Sequence, residues 1–150
     1  MTNEAMRDNE MKLEFPSYSC NESFARAVVG AFAASMDPTL EELADVKTAV
    51  SEAVTNCIVH GYPDRIGTIK MTCAILGGDT LEIKIQDQGV GIADIKTART
   101  PMFTTGGVER SGMGFTIMER FMTGLQVESA PGQGTTVTMT RKLRRGGPGK

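Results

Sequence analysis

The sequence predicts an α+β fold, a two-layer α/β sandwich in which one mostly antiparallel sheet is covered by helices on one face. Three observations carry that expectation. Two stretches, over residues 24–36 and 46–58, repeat apolar residues at the spacing of a helix buried along one side. Ile69, Met71, Cys73 and Ile75 alternate with polar or small residues, Gly77-Gly78-Asp79 turns, and Leu81, Ile83 and Ile85 alternate again, as in a β-hairpin with one face buried. A second alternating pair, Leu125–Ser129 and Thr135–Leu143, meets at Pro131-Gly132-Gln133-Gly134.

Composition narrows the class. A chain of 150 residues is one domain, large enough to bury a core without disulfides or metal. Its formal net charge of −2 gives no whole-surface attraction to nucleic acid or to an anionic membrane. Cys20, Cys57 and Cys73 are odd in number and contain no C-x-x-C pair, which argues against a disulfide framework or a structural zinc site. His60 is the only histidine, so His-x-x-x-His chemistry is excluded. No apolar run approaches a membrane span, and Met1–Glu10 is polar rather than signal-like, so the expectation is a cytoplasmic protein. Residues 1–10 read as a flexible lead, 11–143 as the domain, and 144–150 as a disordered basic tail.

In order along the chain, Met11–Phe15 alternates as a short strand ended by Pro16. Asn21 is placed to cap a helix whose apolar stripe is Phe24, Ala27, Val28, Ala31, Phe32 and Met36, with Glu22 and Arg26 one turn apart on its polar side. Asp37 reads as the next N-cap, with Pro38 at the first helical position. The helix that follows buries Val46, Ala49, Val50, Ala53, Val54, Cys57 and Ile58, and Gly61 reads as its C′ residue. Glu52, Asn56 and His60 stack four apart on another face. After the hairpin, the weakly patterned stretch 93–111 has the character of a lid or binding loop. Ser111-Gly112-Met113-Gly114-Phe115 then opens a helix with Ile117, Met118, Phe121 and Met122 apolar.

Candidate chemistry gathers around three short motifs. A carboxylate and a carboxamide one turn apart, Glu52 and Asn56, suit a general base beside a metal ligand. In Asp87-x-Gly89-x-Gly91 a carboxylate closes a strand, where it can accept a hydrogen bond from the exocyclic amine of adenine. Gly112-x-Gly114 precedes a helix whose free N–H groups and dipole favour phosphate. No P-loop or dinucleotide-binding glycine fingerprint is present. Each motif alone is common, and a solvated helix face or a plain bend accounts for it; the combination is not.

E-x-x-x-N on a helix, D-x-G-x-G after a strand, a lid, G-x-G before a helix and G-x-G-T in a terminal hairpin together resemble the Bergerat ATP-binding fold of gyrase, histidine kinases and MutL, the GHKL superfamily. Ser51-Glu52-Ala53-Val54-Thr55-Asn56, His60-Gly61-Tyr62, Phe103-Thr104-Thr105 and Glu109-Arg110-Ser111-Gly112-Met113-Gly114-Phe115 are similar to the sporulation anti-sigma F factors, the serine-kinase branch of that superfamily. The resemblance runs from about residue 10 to about residue 143. It implies ATP and Mg²⁺ as cofactors, Asn56 as the Mg²⁺ ligand, and Glu52 as the base toward an acceptor serine. It further implies Asp87 on adenine, aided by Thr135 through water, and Gly89 and Gly91 shaping the adenine wall. Thr104, Thr105, Ser111, Gly112, Met113, Gly114 and Phe115 would form the lid and the helix start over phosphate, with Arg110 neutralising charge at the γ-phosphate. A departure stands beside it: Gly106-Gly107 follow the paired threonines where related chains often carry a basic residue and a proline, which implies a looser lid.

The resemblance also implies partners: a homodimer that binds a sigma factor, and an anti-anti-sigma protein of the STAS type phosphorylated on serine. Glu22 and Arg26 match partner-contacting positions. Three other readings compete. A non-enzymatic ATP-gated binding module has no need of Glu52. A detached histidine-kinase domain would go with a phosphoacceptor helix pair, which this sequence does not show, and the only histidine already lies in the nucleotide helix. An anti-sigma kinase of the general stress response differs only in its partner.

Overall fold

The computed structural model describes residues 7–95 and 114–143. Five strands, β1 (Arg7–Pro16), β2 (Thr68–Leu76), β3 (Thr80–Asp87), β4 (Gly124–Ser129) and β5 (Thr135–Lys142), form one sheet in the order β1-β2-β3-β5-β4. Every pairing is antiparallel. The helices are α1 (Asn21–Ala33), α2 (Leu40–Asn56) and α3 (Gly114–Phe121); a 3₁₀ turn (Ala34–Met36) follows α1 and a π turn (Cys57–Gly61) follows α2. The α+β sandwich expected from the sequence is the architecture found.

Register explains which face is buried, because directly opposed residues of an antiparallel pair share a face. Leu13, Met71, Ile85, Val137 and Val127 form one cross-strand row, and Met11, Cys73, Ile83, Met139 and Leu125 form the next. These rows face the helices and join Val29, Val46, Val50, Val54 and Met118 in a single core. The opposite face carries Lys12, Thr72, Lys84, Thr138 and Gln126 in register. At one end the helix-facing side turns polar: Ile69, Asp87, Thr135 and Ser129 lie side by side. At the other end Arg141 donates to Asp45 on α2 (2.9 Å) and to the carbonyl of Phe121 (2.6 Å), fastening both helices to the sheet.

Several local expectations are corrected. β1 begins at Arg7 and so takes in the last four residues of the stretch read as a lead, because this segment pairs with β2. Asn21 does not cap α1: Cys20 holds that position without a side-chain bond, and the Asn21 amide donates instead to the carbonyl of Pro16 (2.9 Å). The buried stripe of α1 is Ala25, Val29 and Ala33, whereas Phe24 is 48% exposed. This helix is apolar on most sides, and close packing on α2 selects the small residues. The N-cap of α2 is Thr39, not Asp37. Thr39 and Glu42 form a capping box, with Glu42 N–H donating to Thr39 Oγ1 (3.0 Å) and Thr39 N–H donating to Glu42 Oε1 (2.9 Å). Satisfying two orphan N–H groups outweighs the single bond Asp37 offers, and is worth about 1 kcal/mol. Asp37 takes the left-handed conformation (φ 56°) that ends the 3₁₀ turn.

Candidate nucleotide site

Helix α2 and its π turn form the spine of the site. The buried residues of α2, Val46, Ala49, Val50, Ala53 and Val54, hold it against the sheet and α1, which leaves Glu52 and Asn56 half-buried on another side. The five-residue π turn widens the helix end, a feature that recurs at functional sites. It carries Cys57 and Gly61 to the polar end of the sheet. His60 is exposed.

Gly61 is not a left-handed C′ residue; its lack of a side chain serves a close approach instead. A Cβ on Gly61 would lie 2.7 Å from Asp87 Oδ2. The Asp87 carboxylate, only 3% exposed, accepts from the N–H of Gly89 (2.9 Å). On its other flank sits the thiol of Cys57, whose pKa is raised well above the ordinary thiol value by burial and then by this carboxylate. Among the described residues the carboxylate accepts from the Gly89 N–H and the Cys57 thiol, a set with room for a ligand that brings an N–H.

The bend after Asp87 is fixed bond by bond. Gln88 N–H donates to the Tyr62 hydroxyl (2.7 Å), which itself donates to the carbonyl of Thr68 (2.7 Å). Val90 N–H donates to Gly61 O (3.0 Å), and Ile92 N–H to Ser129 Oγ (2.8 Å). Gly89 is required by contact, and Gly91 by contact and conformation together. A Cβ on Gly89 would stand 1.8 Å from Gly61 O; one on Gly91, at φ 79°, would stand 1.9 Å from Ala130 O. Their effect is to fold the bend back on the π turn and on the β4–β5 turn. Thr135 pairs with Asp87 in register, and its hydroxyl shares a 2.7 Å hydrogen bond with Ser129.

At the other end, the first residue of α3 meets α2: a Cβ on Gly114 would lie 3.2 Å from both terminal atoms of the Asn56 amide. The amide is thus brought against the start of a helix, where free N–H groups point outward. Phe115 turns inward from the same turn and is 6% exposed, in the core. Asn56 and Gly114 meet at one place, Gly61, Asp87, Gly89, Gly91 and Thr135 gather at the polar end of the sheet, and Glu52 lies one turn before Asn56 on α2. Thr104, Thr105, Arg110, Ser111, Gly112, Met113 and the Gly106-Gly107 pair lie outside the described residues. Glu22 and Arg26 stand apart from the bend, on α1, forming an i,i+4 ion pair at 3.5 Å. Among the described residues there is no group of three or more His, Cys, Asp and Glu arranged to hold a metal, and no helix is long and apolar enough to cross a membrane.

Sequence reasoning missed Tyr62 and Ser129. Tyr62 sits in a stretch that reads as loop punctuation, and Ser129 reads as a strand end; only the His60-Gly61-Tyr62 motif pointed near the first.

Comparison with known proteins accords with this geometry. Residues 20–141 match the family model described as a histidine kinase-like ATPase domain. The chain is 58% identical over 136 residues to the anti-sigma F factor of Thermoanaerobacter sp. strain X514, covering 90% of this chain and 94% of that protein. It is 55% identical over 141 residues to the anti-sigma F factor of Clostridium novyi strain NT, covering 93% and 98%. In fold it is similar to the crystal structure of the RsbU and RsbW domains of a Mycobacterium tuberculosis protein (TM-score 0.69, 20% identity), over 93% of this chain and 33% of that one. A nucleotide-binding ATPase fold of the GHKL kind and near-full-length kinship at this level leave one assignment: the chain belongs to the anti-sigma F factor family.

Proposed function

We propose that this chain binds and inhibits a sporulation sigma factor, sigma F, and, as an ATP-dependent serine kinase, phosphorylates and so inactivates its anti-anti-sigma antagonist. The observation that carries the reading is the reach of one helix. α2 presents Glu52, brings the Asn56 amide to Gly114 at the start of α3, and through Gly61 touches Asp87. This supports a reading in which base and phosphate end lie on one helix and the adenine end, Asp87 of β3, packs against the π turn that follows it. The names of the relatives, anti-sigma F factor, supply the sigma partner.

In this reading Asp87 accepts the exocyclic N–H of adenine, and Thr135 supports it through water. Asn56 would hold Mg²⁺ through its amide oxygen, and the start of α3 would take the phosphates. ATP with its metal supplies the phosphoryl group and most of the charge neutralisation. Arg110 adds a guanidinium at the γ-phosphate, and Glu52 takes the proton of the acceptor serine. Phosphoryl transfer requires chiefly alignment and charge compensation, which this set provides. The protein acts as a homodimer, in the cytoplasm, with Glu22 and Arg26 contacting sigma factor or antagonist in turn.

Glu52→Gln tests the assignment of the base. The variant retains ATP and sigma binding and loses transfer by about a hundredfold or more. Undiminished transfer in the variant would remove Glu52 as base; no transfer by the parent chain, with ATP still bound, would favour the ATP-gated binding module instead.

A further inference from the structure

Between the α1 pair and the helix of the nucleotide site lies a hydroxyl with no role in the reading above. Ser51, half-buried on α2, donates through Oγ to Glu22 Oε2. The Arg26 guanidinium lies 3.5 Å from that same Oγ and 3.5 Å from Glu22 Oε2. Three polar groups from two helices therefore converge on one point. Ser51 immediately precedes Glu52 in the chain, and both lie on the same helical turn.

A carboxylate and a guanidinium one turn apart on an exposed helix sample many rotamers, and their pair is worth only tenths of a kcal/mol. A third group fixed on a packed helix changes this, because Ser51 has a single short side chain and α2 is held by the core. The hydroxyl gives Glu22 a charge-assisted donor and Arg26 an acceptor, which sets both side chains before a partner arrives.

We propose that Ser51 is a positioning residue of the partner face, its hydroxyl presetting Glu22 and Arg26 for the incoming protein and tying them to the helix that bears Glu52 and Asn56. This rests on the reading that Glu22 and Arg26 contact partners. It adds that affinity for a partner depends on a residue the partner does not touch. It also gives the partner face a direct mechanical connection to the nucleotide helix, since displacement of Glu22 or Arg26 pulls on the residue next to Glu52.

The test uses the full chain, with the sigma F protein and the anti-anti-sigma protein of Thermoanaerobacter as probes, in titrations with Mg-ATP present. Ser51→Ala, which removes the hydroxyl and keeps a good helix former, weakens binding of the probes about tenfold and leaves ATP affinity unchanged. Ser51→Thr, which keeps the hydroxyl, restores most of the loss. The double variant Ser51→Ala/Arg26→Ala is no weaker than Arg26→Ala alone, the signature of two residues acting as one unit. If Arg26→Ala weakens binding while Ser51→Ala does not, the positioning role falls and the partner face stands. If Arg26→Ala also leaves binding unchanged, the partner-face reading itself falls. Equal loss of ATP and partner affinity in Ser51→Ala would overturn the proposal in favour of general damage to α2.

Discussion

The carboxylate of Asp87 is seated against the α-carbon of Gly61, so closely that a Cβ there would stand 2.7 Å from Oδ2. This contact joins the end of the α2 spine to the end of β3, and it makes the two positions interdependent. Gly61→Ala must displace either the carboxylate or the π turn, at about 1–3 kcal/mol of overpacking. ATP affinity measured by fluorescence titration is expected to fall about tenfold or more, while far-UV circular dichroism remains that of the folded chain. Asp87→Ala is expected to abolish nucleotide binding; normal affinity in that variant would refute the adenine assignment.

Tyr62 bonds to the backbone on two sides, accepting from Gln88 N–H and donating to Thr68 O. Tyr62→Phe retains the ring, which packs so closely on Gly67 that a Cβ there would lie 2.3 Å from it. It strips the partner from the Gln88 N–H. The expected loss is about 1–3 kcal/mol in urea unfolding, with a weaker ATP affinity because the bend after Asp87 loosens.

The thiols make a pH prediction. Burial pushes Cys73 up to about 12 from the ordinary value of 9.0, and raises Cys57 in the same direction, Asp87 adding to the effect there. A raised thiol pKa in the fold means the folded state binds more protons than the unfolded one at alkaline pH. Stability is therefore fully present below the unfolded value and is lost as pH climbs from 9.0 toward about 12, by at most about 1.4 kcal/mol per pH unit per thiol. Unfolding free energy followed from pH 8 upward is expected to fall less steeply in Cys73→Ala than in the parent chain. Iodoacetamide at neutral pH is expected to label exposed Cys20 and to spare buried Cys57 and Cys73, read by peptide mass.

A Cβ on Gly114 would lie 3.2 Å from both terminal atoms of the Asn56 amide. Gly114→Ala forces the amide to give by tenths of an ångström. The expected outcome is a lower affinity for Mg-ATP, with metal-free nucleotide binding affected less, measured by calorimetric titration with and without chelator.

The sheet was legible because alternation at 69–75, 81–85 and 135–143 has one cause, a pleat with one wet face. The buried side of α2 was legible for the equivalent reason at helical period. For α1 the same method chose a stripe that only partly matches: Met36 is buried and Val28 and Phe32 pack against the core, but Ala25, Val29 and Ala33 are apolar too, and packing on α2 buries these rather than Phe24. The caps at Asn21 and Asp37 went astray because side-chain competition, Thr39 with Glu42 and Asn21 with Pro16, is settled by backbone direction. The motif residues around Asp87 and Asn56 could be named from their spacing. Tyr62 and Ser129 could not, because they act across 26 and 37 residues of chain on backbone groups, and a backbone N–H leaves no mark in a sequence.

The central claim is transfer of phosphate to a protein serine. Its most direct test is incubation of this chain with γ-labelled Mg-ATP and the anti-anti-sigma protein, followed by acid treatment of the product. Acid-stable label on the anti-anti-sigma protein, lost in Glu52→Gln, is the expected result. Acid-labile label, or none while ATP still binds, would contradict it.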